Sequence, residues 1–197
     1  MPKQVLGDAF RGVLSSDFYA GYTFYLGEHQ RCWVHFLRDL KQLQEKHPHD
    51  KGLGSWAKRV KKIWKTATEY SSDNHKVRVK ARSRFQQLLA ALAEPFAREG
   101  EAIQRTLAQR VLRFVNEMFT FVEYPEVASD NNAAERAIRP MVIYRKVTGG
   151  SRSGQGSTTT AVLMSLVSTR QLRGLDPMSA CVRMLQSEAP RLEPHKA

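Results

Sequence analysis

Apolar and polar positions follow two rhythms along this 197-residue chain. Near the start, Gly12-Val13-Leu14-Ser15-Ser16 is a short apolar run closed by a polar pair. It predicts a buried strand whose C-terminal end delivers Asp17. Phe18-Tyr19-Ala20-Gly21-Tyr22 then opens a short helix or turn. A second strand is predicted at about 30–34, Gln-Arg-Cys-Trp-Val, before the rhythm changes. Val34, Leu37, Leu40 and Leu43 recur every three positions, with Arg38, Asp39, Lys41 and Gln42 outside them, which predicts a helix stopping near His47-Pro48.

Helical spacing dominates the middle of the chain. Trp56, Val60, Ile63 and Trp64 form one stripe, and Ser71-Ser72-Asp73-Asn74 breaks it and offers N-cap side chains to a second helix running toward Leu92. Pro95 is expected to end or kink that helix. Ile103, Leu107, Val111, Val115, Met118 and Val122 predict one long third helix, closed by Tyr124-Pro125. Ser129-Asp130-Asn131-Asn132 supply caps for a further helix that carries Glu135 in its first or second turn and ends at Pro140. Met141 to Tyr144 are then expected to be briefly extended, and 145–156 to form a mobile basic Gly/Ser loop. Val162, Leu163, Leu166, Val167 and Leu172 mark another helix ending near Gly174. Pro177 starts the last, with Cys181, Met184 and Leu185 on its apolar side.

Charge adds a partner to this picture. Thirty-one Lys and Arg against 19 Asp and Glu leave +12, an excess that favours a polyanion, with nucleic acid ahead of an anionic membrane surface. Residues 51–87 alone hold eleven cations against Glu69 and Asp73. Hydrophobic residues make up 42% of the chain, enough to bury a core. No apolar run approaches the roughly 20 residues of a membrane helix. The first residues do not resemble a signal peptide, so a cytoplasmic, nucleoid-associated protein is expected. Two cysteines are too few for a disulfide framework. Cys32 stands three residues from both His29 and His35, but a structural zinc site needs four ligands, and a buried cysteine beside a packed or phosphate-facing histidine is the simpler reading.

Three blocks in order carry a more specific signal: Ser16-Asp17-Phe18-Tyr19-Ala20-Gly21-Tyr22, then Arg31-Cys32-Trp33-Val34-His35-Phe36-Leu37-Arg38-Asp39, then Asn132-Ala133-Ala134-Glu135-Arg136 with Arg139-Pro140 and Arg145-Lys146. Together they resemble the insertion-sequence-66 family of transposases, from about Gly12 to Leu185. The resemblance implies an α/β fold tending to mostly α: a partial RNase H-like core with few strands, interrupted by a long all-helical insertion. The boundaries it suggests are 1–49 for the first part of the core, 50–124 for the insertion and 125–197 for the C-terminal core helices and basic loop. It also implies a DDE-type DNA transposase using Mg²⁺ or Mn²⁺, with Asp17 as the second catalytic, metal-binding carboxylate and Glu135 as the third. The strand bearing the first Asp has no match here. Asp8, in Leu6-Gly7-Asp8-Ala9-Phe10, follows no buried strand, so the chain is expected to be N-terminally truncated and catalytically incomplete.

Two-metal phosphodiester chemistry suits that donor set, because Mg²⁺ takes few protein carboxylates and fills its other positions with water and phosphate. Without the blocks, Asp17 reads as a turn residue and Glu135 as a partner of a helix dipole. Arg136, Arg139, Arg145, Lys146 and Arg152 are read as lining the DNA path, since guanidinium groups bind phosphate bidentately; a solvated surface run is the alternative. Arg38 and His35 are weaker candidates for phosphate contact. The expected partners are double-stranded DNA, as transposon ends and target, and a second copy of the chain, with no membrane and no small-molecule substrate. The rival function is a non-catalytic DNA-binding remnant or regulator of an intact transposase.

Overall fold

The computed structural model describes residues 9–98 and 100–186. They are mostly helical, with two short parallel strands, and divide into two compact units, Met1–Asn132 and Ala133–Ala197. In the first unit β1 (Leu14–Ser16) pairs in parallel with β2 (His29–Arg31), Leu14 opposite His29 and Ser16 opposite Arg31. A 3₁₀ turn at Ala20–Tyr22 lies on the connection between them. Four helices follow: α1 (Trp33–Lys46), α2 (Lys51–Thr68), α3 (His75–Arg98) and α4 (Arg105–Phe114). A 3₁₀ turn at Val115–Glu117 and the short α5 (Thr120–Glu123) complete the unit's elements.

The core of this unit is built from one stripe per helix. Trp33, Phe36 and Leu40 of α1 meet Leu53, Trp56 and Val60 of α2, Leu89 and Ala93 of α3, and Ala108 and Val111 of α4. Caps set where the helices start. The Asp50 carboxylate accepts from the Leu53 N–H at 2.6 Å, and the Asn74 side chain accepts from Lys76 N–H at 2.9 Å, as expected of the polar break before α3. Two indole N–H groups of this core have acceptors: Trp56 Nε1 donates to the Leu92 carbonyl at 3.1 Å, and Trp33 Nε1 to the Met118 carbonyl at 2.5 Å, whereas the buried Nε1 of Trp64 has none among the described residues.

Several elements differ from the sequence reading. The second strand is His29–Arg31, and Trp33 and Val34 are already helical, because the Cys32 N–H donates to the Ser16 carbonyl and Trp33 N–H to the Ser129 carbonyl, ending the ladder. Pro95 does not end α3, which continues to Arg98. The carbonyl left without its donor belongs to Ala91, which is exposed and can turn to water, while Leu92, Ala93 and Ala97 bury the turns around it. The long third helix is broken: helical geometry stops at Phe114 and again at Phe119, with the 3₁₀ turn between. The break has a tertiary cause. It directs the Met118 carbonyl to Trp33 Nε1 and to Gln30 Nε2 at 3.2 Å, and the Phe121 N–H to Gln30 Oε1 at 3.0 Å. Gln30 is fully buried in β2; its Nε2 also donates to the Arg31 carbonyl at 2.7 Å, but an unbroken helix would deprive its Oε1 of the Phe121 N–H.

The second unit contains α6 (Asn132–Thr148), whose first residue closes the first unit, α7 (Gly154–Leu172) and α8 (Pro177–Gln186). Pro140 lies inside α6 and does not end it; the carbonyl it deprives is that of Arg136, again exposed. Met141 to Tyr144 are helical, not extended, and the basic loop is shorter than expected, since Arg145–Thr148 finish α6 and Gly154 starts α7. Gly149 (φ 71°) and Gly150 (φ 88°) are consecutive left-handed residues, a reversal that glycine alone makes without strain. The side chains of Cys181, Met184 and Leu185, expected on the apolar side of the last helix, lie outside the described residues, as does Asp8. No described side chain of α6, α7 or α8 is buried.

Candidate functional site

Asp17 sits where the strand reading put it, directly after β1, and is half-buried. Its Oδ1 accepts from the Tyr19 N–H at 3.0 Å, which fixes the turn. Its carbonyl accepts from Arg31 Nη1 at 2.8 Å. Arg31 is buried completely, with Nε 2.5 Å from Glu117 Oε2, Nη1 3.2 Å from Ser16 Oγ, and its guanidinium carbon 4.7 Å from the centre of the Phe114 ring. One planar cation thus ties the ends of both strands to the 3₁₀ turn. Glu117, about a third exposed, also approaches His29 Nδ1 at 3.9 Å, and His29 Nε2 meets the Tyr25 carbonyl at 2.7 Å. The sequence blocks contain Arg31 but give no signal for its role, and Glu117 stands 86 positions away.

A second, partly buried cation braces the start of β2. Arg82 bonds Glu123 at 2.7 Å, Glu28 at 2.9 Å and the Asn116 carbonyl at 2.9 Å. Burial works to lower its pKa, but the hydrogen bonds and charges of Glu123 and Glu28 outweigh burial and leave it raised. Arg82 is therefore committed to the fold, as is Arg78, which donates to the Glu123, Ser72 and Asp73 carbonyls. Cys32 is a buried thiol whose Sγ accepts from the Asn131 N–H at 3.4 Å. His35 is half-buried and Arg38 exposed, both on α1.

The segment before α6 is anchored within the first unit. Ser15 Oγ donates to the Asp130 carbonyl at 3.5 Å, Trp33 N–H to the Ser129 carbonyl at 3.0 Å, and the Asp130 carboxylate accepts from the Asn132 N–H at 2.9 Å. Glu135 itself lies in the first turn of α6 and is half-buried, in the second unit. Asp17 and Glu135 thus belong to separately described units. Among the described residues no group of three or more His, Cys, Asp or Glu side chains is placed to hold a metal ion.

All five basic residues singled out around Glu135 are exposed and lie in the second unit. Arg139 and Lys146, seven positions apart on α6, share one face. Arg145 instead lines a concavity of about 360 Å³ with Met141, Tyr144, Gly149, Gly150 and Ser151. Ser153 caps α7, its hydroxyl accepting from the Gly156 N–H at 3.0 Å, with Arg152 just before it. No helix among the described residues is long and apolar enough to cross a membrane.

Against known proteins, residues 1–159 match the family model described as "Transposase IS66 family". Two relatives come from Sinorhizobium fredii (strain NBRC 101917 / NGR234). The uncharacterized protein y4jO is 26% identical over 171 residues, covering 87% of this chain and 50% of its own length. The uncharacterized protein y4qI is 24% identical over 190 residues, covering 86% of this chain and 34% of its own. The chain therefore spans half the length of one and about a third of the other. No solved structure matches.

Proposed function

The chain belongs to the IS66 family of transposases, and we propose that it takes part in metal-dependent phosphodiester chemistry on DNA, with Asp17 and Glu135 as two of three metal-binding carboxylates. The observation that carries this reading is the family match itself, which runs through both carboxylate blocks and their order. A second observation supports it from within the first unit. The chain leading to Glu135 is hydrogen-bonded to Ser15 and Trp33, beside the strand end that delivers Asp17. An RNase H-like core, with residues 50–124 as a helical insertion in it, is part of the same proposal; its support is the parallel β1–β2 pair followed by an unbroken series of helices.

The donor chemistry fits Mg²⁺ or Mn²⁺ in kind, since both groups are hard carboxylate oxygens. In number, no group of three such ligands is gathered among the described residues. When bound, such ions activate a hydroxyl nucleophile and stabilise the departing oxygen. What this chain's own residues contribute is positioning. Arg31 holds the Asp17 backbone, and the Tyr19 N–H fixes one carboxylate oxygen, leaving the other for a ligand. Arg136, Arg139, Arg145, Lys146 and Arg152 lead the phosphate backbone past Glu135, with His35 and Arg38 as further phosphate contacts on α1.

A second reading, a DNA-binding protein that regulates an intact transposase, draws on the exposed Lys and Arg of the chain, which bind phosphate without a metal ion. A cleavage and strand-transfer assay with duplex DNA in Mg²⁺ or Mn²⁺ separates them. The expected result is duplex binding without cleavage or joining by this chain alone. Strand transfer abolished by Asp17→Ala would overturn the two-of-three assignment and return attention to Asp8. In a salt titration of duplex binding, neutralising Arg139, Arg145, Lys146 and Arg152 together is expected to flatten the dependence of log affinity on log salt by roughly two to four units.

A further inference from the structure

The eleven cations of residues 51–87 read as one basic region in sequence, and the structure divides them. Arg78 and Arg82 are bound to carbonyls and carboxylates inside the fold. The six on α2, which contains no acidic residue, are all exposed. At about 100° per residue, Lys51, Lys58, Lys62 and Lys65 fall on one ridge, with Arg59 and Lys61 on its two flanks. The ridge is about 21 Å long, from fourteen steps of about 1.5 Å. The opposite side of the helix is fixed: Leu53, Trp56, Ala57, Val60 and Ala67 are buried, and the Trp56 indole is bonded to α3.

From this arrangement we infer that the exposed ridge of α2 is a docking surface for the phosphate backbone of duplex DNA, separate from the basic residues that follow Glu135. Three features carry the inference. The array repels itself, since Lys58–Lys62 and Lys61–Lys65 are like charges at i,i+4, and Lys58–Lys61, Arg59–Lys62 and Lys62–Lys65 at i,i+3. Helix-dipole complementarity accounts for Lys65 in the last turn but not for Lys58 and Arg59 near the middle. Countercharge is scarce among the described residues: Lys65 meets the exposed Glu69 at 3.7 Å, Lys61 donates to neutral Gln44 at 3.1 Å, and Asp50 and Glu45 are engaged with the Leu53 N–H and with Lys41. A polyanion relieves that repulsion along the whole ridge, whereas a small anion meets one or two of its cations. A membrane surface is disfavoured, because the apolar side of α2 faces the core and none is left to insert. That the polyanion is DNA rests on the transposase reading above; the geometry of the ridge does not.

The test is a salt titration of binding to a mixed-sequence duplex, followed by fluorescence anisotropy without divalent metal. Lys58→Gln, Lys62→Gln and Lys65→Gln are combined in one variant. Each phosphate no longer neutralised should flatten log affinity against log salt by about 0.9, so the slope should become shallower by roughly two to three units. The same three positions changed to Arg should keep the wild-type slope. An equal removal of charge from α3, at Lys76, Lys80 and Arg84, should change it less. The inference is overturned if the α2 variant keeps the wild-type slope, if the α3 variant loses as much, or if the loss appears with a structured RNA and not with duplex DNA. Circular dichroism checks that these exposed substitutions leave the fold intact. Because no metal is present, an unchanged slope would sink the α2 surface and leave the roles of Asp17 and Glu135 standing, and failure of the metal assays would leave this slope untouched.

Discussion

The two units of this chain solve different problems. The first surrounds two short strands with helices whose apolar stripes are buried, and its polar interior groups Gln30, Arg31 and Thr120 all have partners. The second has three helices whose described side chains are at most half-buried, with Ile143 at 52% and Val162 at 58% exposure. Asp17 therefore stands on a packed scaffold that holds a carboxylate in one place, while Glu135 and the basic cluster stand on helices whose described side chains are at most half-buried.

Core truncation should separate the units most sharply. Trp33→Ala removes a fully buried ring that contacts Phe36 and Phe119 and leaves the Met118 carbonyl short of a donor, so it should cost about 4 kcal/mol. Leu163→Ala, at a side chain 49% exposed, should stay within about 0.5 kcal/mol. All three tryptophans lie in the first unit. Urea unfolding followed by Trp fluorescence and by far-ultraviolet circular dichroism should thus show the first change plainly and the second scarcely; equal costs would erase the distinction.

The next effect concerns the brace beneath Asp17. Arg31→Met leaves Glu117 without its cation and should destabilise the first unit by about 3 kcal/mol, while Arg31→Met combined with Glu117→Leu should recover most of the loss. A double variant no better than the single would show that Arg31 acts through the Asp17 carbonyl and Phe114 rather than through its ion pair.

The smallest effect lies at the start of α8. The Ser179 hydroxyl and N–H, and then the Met178 N–H, hold the Asp176 carboxyl below the usual carboxylate range. A depressed folded pKa gives stabilisation that is complete above the unfolded value and is lost as pH falls through the folded one. The cap should hold at neutral pH and loosen only under acid conditions below the ordinary Asp range. Amide shifts of Met178 and Ser179 followed down in pH should move there, and Asp176→Asn should abolish the transition.

Legibility followed the distance over which each element was decided. The strand that delivers Asp17, helix α1 and the cap at Asn74 depend on neighbours a few residues away, so short patterns disclose them. The interruption at 115–119 depends on Gln30 and Trp33, more than eighty positions earlier, and the apolar rhythm runs straight through it. Arg31 was hidden for the same reason, with its acid partner in the segment read as continuous helix. Pro140 misled, and Pro95, expected to end or kink α3, did not end it, because a proline's cost depends on whether the carbonyl it orphans can reach water, which is a property of the surface and not of the sequence window. The family blocks crossed those distances for the family itself, and they were silent on what braces Asp17.

The most direct test of the central proposal is a Mn²⁺ titration of the chain observed through amide line broadening. If Asp17 and Glu135 share an ion, signals beside both carboxylates, Phe18 and Tyr19 on one side and Ala134 and Arg136 on the other, should broaden together at the same Mn²⁺ concentration. Either Asp17→Asn or Glu135→Gln should then abolish both effects. Broadening confined to one carboxylate, or broadening at both that survives the two substitutions, would contradict the account.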